Sequence, residues 1–134
     1  MFKKGSFLYS IFFHKCPRCH ESSMFVEENP YKISRLFEMN KTCPVCGQDP
    51  ELGEIGFYWG AMYIGYALSV GLLLIMIAVA HFIFGLSVLH SIIVVSLIHL
   101  ILIPYEFRTA RMIWVNMFVK YNPNWKNEAP VWKD

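Results

Sequence analysis

From Ile55 to Tyr105 the chain has no aspartate, glutamate, lysine or arginine, a gap of 51 consecutive residues. A gap of that length excludes an ordinary solvated surface for more than a third of the 134 residues, and far exceeds the ~20 that one membrane-crossing helix needs. Charge is scarce overall, at 16% of residues against 55% hydrophobic and a mean hydropathy of +0.38. The N-terminal 54 residues lack a basic excess, with seven Lys or Arg against seven Asp or Glu. Nucleic-acid binding runs on phosphate neutralisation by clustered cations, so no nucleic-acid partner is expected. A cleavable signal peptide is not evident either. Lys3 and Lys4 precede "FLYSIFF", but seven mostly apolar residues make a marginal core and no Ala-x-Ala site follows. No hydrolase constellation is present, and an enzyme is not expected.

The uncharged run is long enough for two crossings. It breaks best at "HFIFGLS", where Gly85 separates apolar stretches at about 57–84 and 86–103, the second closed by Pro104. In hydrocarbon every backbone amide must be satisfied internally, so two helices joined by a tight turn are predicted over 56–104. Seven Lys or Arg precede the first span, five follow the second and none lies in the turn. Both termini are therefore expected on the cytoplasmic side. Trp59, with Phe57, Tyr58, Tyr63 and Tyr66, suits the interfacial belt of the first helix. Residues 1–15 read as an interfacial amphipathic segment.

Four cysteines stand in two pairs of one form, Cys16-Pro-Arg-Cys19 and Cys43-Pro-Val-Cys46, with 23 residues between the pairs. Two such turns suit one tetrahedral ion held by four sulfurs, the pattern of a structural zinc site. The head, residues 16–54, has few large aliphatics, so metal binding would supply much of its folding free energy. Zinc is the expected cofactor. Iron shares the four-thiolate geometry and stays open. Cys16-x-x-Cys19-His20 also matches the c-type haem attachment pattern, but the second pair carries Gly47 where that motif needs His. That haem is attached on the outer side of a bacterial membrane, and the head is expected on the inner side. A thioredoxin-like dithiol would need a strand-helix context that this segment does not show.

Within the spans, Gly56, Gly60, Ala61, Gly65 and Ser69 form a strip of small residues suited to close helix packing, within the chain or against another membrane protein. His81, His90 and His99 are intramembrane or interfacial ionisable groups. His90 and His99 fall on opposite helix faces, whereas His81 and His90 flank the turn; the bland reading is bonding to water or backbone, and His99, deeper, would bond a partner helix. No intramembrane acid suggests a transport path unless the protein oligomerises. After Pro104, residues 105–121 are expected as a separate juxtamembrane helix along the interface, with Trp114 and Tyr121 as lipid or interface contacts. Glu106, Thr109, Asn116 and Lys120 share one face of it. Arg108 and Arg111 point elsewhere and are expected to snorkel to lipid phosphates, with pairing to Glu54 as the alternative. Residues 122–134 are expected to be a flexible tail, with Trp125 and Trp132 as contact residues.

The stretches "KCPRCHESSMF", "CPVCG", "EIGFYWGAMYIGYAL" and "PYEFRTARMIWVNMFVKYNP" together closely resemble domain-of-unknown-function family 983, small bacterial membrane proteins with paired Cys-Pro-x-Cys motifs. The resemblance implies a bacterial inner-membrane protein with a zinc-ribbon-like head on a two-helix transmembrane hairpin, followed by an interfacial helix. It implies no established activity; association of relatives with cytochrome oxidase biogenesis makes a redox or metal-delivery role the alternative to an accessory or assembly component of a larger membrane complex. Membrane lipids and another membrane protein or complex are the expected partners.

Overall fold

A computed structural model of the chain describes residues 5–52 and 56–130. Three α-helices appear among them: α1, Phe7–Phe12; α2, Trp59–Phe82; and α3, Val88–Phe118. A single 3-10 turn, Ile33–Arg35, lies in the loop between the two cysteine pairs. Helices α2 and α3 have 24 and 31 residues, each with an 18-residue window of mean hydropathy 2.2. In those windows α2 buries none of its residues within the protein and α3 only 17%. A soluble core helix would bury most of such a surface, so these are two candidate membrane-spanning helices.

The link between them is short because Gly85 takes a left-handed conformation, φ +65°, which a side chain would resist. Leu86 N–H donates to Ala80 O across it, and Ser87 caps α3 by accepting from His90 N–H. Both turn histidines are held locally: His81 Nδ1 lies 2.8 Å from Leu86 O, and His90 Nδ1 2.7 Å from the Ser87 hydroxyl.

The expected stop at Pro104, and with it a separate helix at 105–121, gives way to one helix through the proline. Proline removes the N–H that would have met Leu100 O, a loss that neighbouring helices compensate in apolar surroundings. Here the helix beyond Pro104 is fixed on two sides. Trp114 lies over Gly60 of α2, Ala110 Cβ sits opposite Gly65, and Met112, Val115 and Val119 are buried against the head and the residues that lead into α2. Helical register past the proline is thus imposed by tertiary packing.

The small-residue strip meets α3 as a packing surface, with one exception. A Cβ at Gly60 would overlap the Trp114 indole, whose Nε1–H donates to Phe57 O at 2.7 Å; Ala61 is buried; and Ser69 Oγ lies 2.8 Å from His99 Nε2. Gly56 precedes the helix and serves a turn at φ +83°. Trp114, expected as a lipid or interface contact, is half-buried and packs on α2, whereas Trp59 is exposed.

Among the described residues the head pairs its chain at two isolated antiparallel bridges, Lys15 with Ser23 and Phe25 with Met39. Residues 119–130 fold back over it, and so include much of the stretch 122–134 expected to be a flexible tail. Asn122 N–H donates to Arg18 O, and Trp125 packs against the cysteine-lined core. The remaining tail tryptophan, Trp132, and the proposed partner Glu54 lie outside the described residues.

Gly60 and Gly71 separate packing from propensity, because nothing lies within 4 Å of a Cβ built at Gly71. Gly60→Val is expected to lower the melting temperature of the detergent-purified protein by several degrees, in line with overpacking costs of about 1–3 kcal/mol, while Gly71→Val leaves it unchanged or higher. Equal melting of the two variants would show that Trp114 does not rest on Gly60.

Candidate metal centre

Each cysteine pair folds into a knuckle by a similar pair of backbone bonds. In the first, His20 N–H donates to Cys16 O at 2.9 Å and Cys16 N–H to Ser22 O at 2.8 Å; in the second, Gly47 N–H donates to Cys43 O and Cys43 N–H to Gln48 O at the same two distances. Both turns end on a left-handed residue, Gly47 at φ +69° and His20 at φ +58°. Histidine adopts that conformation at a cost of roughly 1–2 kcal/mol, so its ring needs compensating contacts. It has them: Nδ1 accepts from Gly5 N–H at 3.1 Å, and the buried ring stacks 5.5 Å from Tyr9 and lies 4.6 Å from Tyr121. The histidine that raised the haem question closes the first knuckle as glycine closes the second.

The knuckles bring all four sulfurs within 4.8 Å of one another. Cys16 and Cys46 Sγ are 3.7 Å apart, and Cys19 and Cys43 Sγ 3.8 Å. A tetrahedron with metal–sulfur bonds of about 2.3 Å has edges of about 3.8 Å, so the residues present fit a four-thiolate metal ion. Tetrahedral sulfur coordination suits zinc or iron alike. Four sulfurs this close cannot all carry charge without a cation between them, and hydrogen bonding, first with Cys19, pushes the Cys16 thiol up. A central cation removes that conflict by favouring thiolate at every position.

Cys16, Cys19 and Cys43 are buried and Cys46 is half-buried. Beneath the sulfurs lie Met24, Phe25 and, from α3, Met112, with Met39 and Trp125 at the edge. The centre is therefore part of a core shared between the head and α3. Its position along α3 follows from the rise of ~1.5 Å per residue: Met112 is seven residues, about 10 Å, beyond Tyr105, where the uncharged run ends.

Three arginines fasten this core, none as expected. Arg108, only 1% exposed, donates through Nη1 to Glu27 O (2.8 Å) and Glu28 O (3.2 Å), through Nη2 to Asn29 O (3.2 Å), and through Nε to Leu36 O (3.3 Å). Its guanidinium lies 4.7 Å over the Phe25 ring. Arg111 donates to Phe37 O at 2.7 Å and lies between the rings of Phe37 and Tyr58 at 4.9 and 4.8 Å. Neither reaches outward to lipid phosphate. Loop carbonyls have no strand partners and a fork of N–H donors satisfies several at once, which outweighs an exposed position.

Arg18, from inside the first knuckle, was not expected to carry a role. It too is 1% exposed, and it donates to Cys46 O (3.3 Å), Glu128 O (2.6 Å) and Ala129 O (2.7 Å), tying both knuckles to the returning tail. Nothing in the sequence around Cys16-Pro-Arg-Cys19 marks it, because its partners are backbone atoms distant in the chain, two of them about 110 residues away. Asn116 was legible only as a polar residue on the Glu106 face; it donates to Ser10 Oγ (2.9 Å) and Met112 O (2.7 Å), docking α1 on α3. Burial, aided by the Arg108 charge, lowers His14 to about 4, and its neutral ring lies 3.5 Å from Thr109 Oγ1.

A family described as protein of unknown function (DUF983) matches residues 33–119, well over half of the chain. The match spans the second knuckle, both long helices and the two α3 arginines. No curated protein and no solved structure matches.

Arg108→Ala removes the donors of four carbonyl bonds and is expected to destabilise the protein by about 3 kcal/mol or more, with Arg108→Lys recovering only part. Limited proteolysis should then cut within residues 27–38, sites protected in the wild type. An unchanged cleavage pattern in Arg108→Ala would mean that the loop is held by other contacts.

Proposed function

The chain belongs to the DUF983 family of proteins of unknown function, and since membership brings no activity with it, we propose from the geometry that it is a small bacterial inner-membrane protein whose four-cysteine head binds one structural zinc ion. The long helices form a transmembrane hairpin with both termini cytoplasmic. The head, a zinc-ribbon-like platform fixed to the stem, serves a larger membrane complex as an accessory or assembly component.

The observation that carries this reading is the gathering of four sulfurs, three of them on buried cysteines, at tetrahedral spacing over Met112 of α3. A closed four-sulfur shell leaves no position for substrate or water, which suits a structural ion better than a catalytic one. Orientation draws on the Lys and Arg counts of seven, none and five before, between and after the spans. Lipid would cover the exposed apolar flanks of α2 and α3. An accessory role agrees with a rigid head that offers a surface and with the lack of a hydrolase constellation.

One observation favours a second reading, a redox or metal-delivery factor for a haem-copper enzyme: Cys46 is half-buried where its three partners are buried. Exchange of metal or of disulfide partners would start there, since thiolate attack requires access.

Two measurements test the proposal. Elemental analysis with a visible spectrum, on detergent-purified protein expressed without added metal, should give one zinc per chain and no colour, and Cys16→Ser should lose the zinc and melt at a lower temperature. Iron absorption, or alkylation of Cys46 in metal-loaded protein without chelator, would move the assignment to the second reading. In membrane fractions the protein should stay in the pellet through a carbonate wash; release into the supernatant would remove the transmembrane hairpin.

A further inference from the structure

Two ionisable side chains meet where the stem is otherwise apolar. His99 Nδ1 lies 3.2 Å from Glu106 Oε1, two helical turns along α3, and His99 Nε2 lies 2.8 Å from the Ser69 hydroxyl on α2. Glu106 is 7% exposed. Despite the short approach, neither His99 Nδ1 nor Glu106 Oε1 makes an aligned hydrogen bond among the described residues. A buried carboxyl and imidazole with bonding capacity to spare are costly, and such groups between membrane helices mark functional sites.

The same groups border a cavity. Between α2 and α3 lies a space of about 340 Å³ whose walls include Met62, Gly65, Tyr66 and Phe107, with Ser69 and Glu106 as its polar groups. That volume falls within the ~300–1,000 Å³ of small-molecule sites, and an apolar wall with a few convergent polar atoms is their usual make-up. The opening arises because Gly65 and Ser69 fill little space.

We propose that this cavity is a binding site for a flat, membrane-dissolved ring molecule bearing carbonyl oxygens, the quinone class, with Glu106 and Ser69 as its hydrogen-bonding groups and His99 as the residue that positions them. Three features select that class. The exposed flanks of both helices are apolar, so a ligand reaches the site from lipid and not from water. Tyr66, Phe107 and Met62 offer ring faces and a thioether, which favour a planar partner. The Ser69 hydroxyl is a donor from which a ring carbonyl accepts and an acyl chain does not, and the Glu106 carboxyl adds a second hydrogen-bonding group on the same wall. The proposal rests on α2 and α3 lying in a bilayer, a premise that the carbonate wash tests by itself.

The test uses the full chain in phosphatidylcholine nanodiscs, titrated with duroquinone while tryptophan fluorescence is read. Wild-type protein should show a saturable quenching component above the linear background of empty-site quenching. Glu106→Gln and Ser69→Ala should each weaken it by about tenfold, and Val70→Phe, which fills the cavity from its wall, should abolish it. Should Glu106→Gln fail to fold, Ser69→Ala and Val70→Phe decide. Linear quenching in the wild type, or saturation that the two polar variants leave unchanged, overturns the proposal and leaves the space to a lipid chain.

Discussion

Arg108 brings a full set of N–H donors to a helix flank where, among the described residues, the backbone of the head supplies the acceptors. Most other contacts follow from this one. A loop without strand pairing must satisfy its carbonyls somewhere, and a guanidinium anchored on a rigid helix does so for residues 27–36 together. Once that loop is seated, Phe25 lies under the guanidinium and Met24 beside Met112. The two knuckles then close over the same surface.

The continuity of α3 is the second requirement. Had the helix stopped at Pro104, Arg108, Arg111, Met112 and Asn116 would have lost their common frame, and the four-cysteine cluster its floor. Proline's lost hydrogen bond is a local cost, whereas the packing of Trp114 on Gly60 and of Met112, Val115 and Val119 against the rest of the protein recurs over about two turns. Each buried apolar side chain contributes on the order of 1.5–3 kcal/mol, so a few outweigh the proline. One rod thus carries both a lipid-suited flank and the core of the head, and a metal ion would sit about 10 Å beyond the end of the uncharged run.

The two knuckles show how one backbone turn tolerates different residues. Gly47 enters the left-handed region freely, while His20 needs Gly5, Tyr9 and Tyr121 around its ring. That need draws the N-terminal segment and the chain just past α3 onto the first knuckle. Arg18 does the same for residues 128–129. The four-cysteine cluster is consequently enclosed by segments from both ends of the chain as well as by its own loops.

By itself the sequence determined what depends on neighbours in the chain. The charge gap set two long apolar helices, Gly85 set the turn between them, and two Cys-Pro-x-Cys repeats set a pair of knuckles able to share one ion. Each is a local property: a run, a left-handed residue, a spacing of three. Tertiary structure alone decided what depends on distant partners. It carried α3 through Pro104, because the opposing forces lay on α2 and the head. It turned Arg108 and Arg111 from lipid towards carbonyls, since no pattern in a sequence shows which loop carbonyls lack donors. It also folded residues 119–130 over the head and placed Glu106 beside His99 and Ser69, a juxtaposition that exists only once two helices are packed.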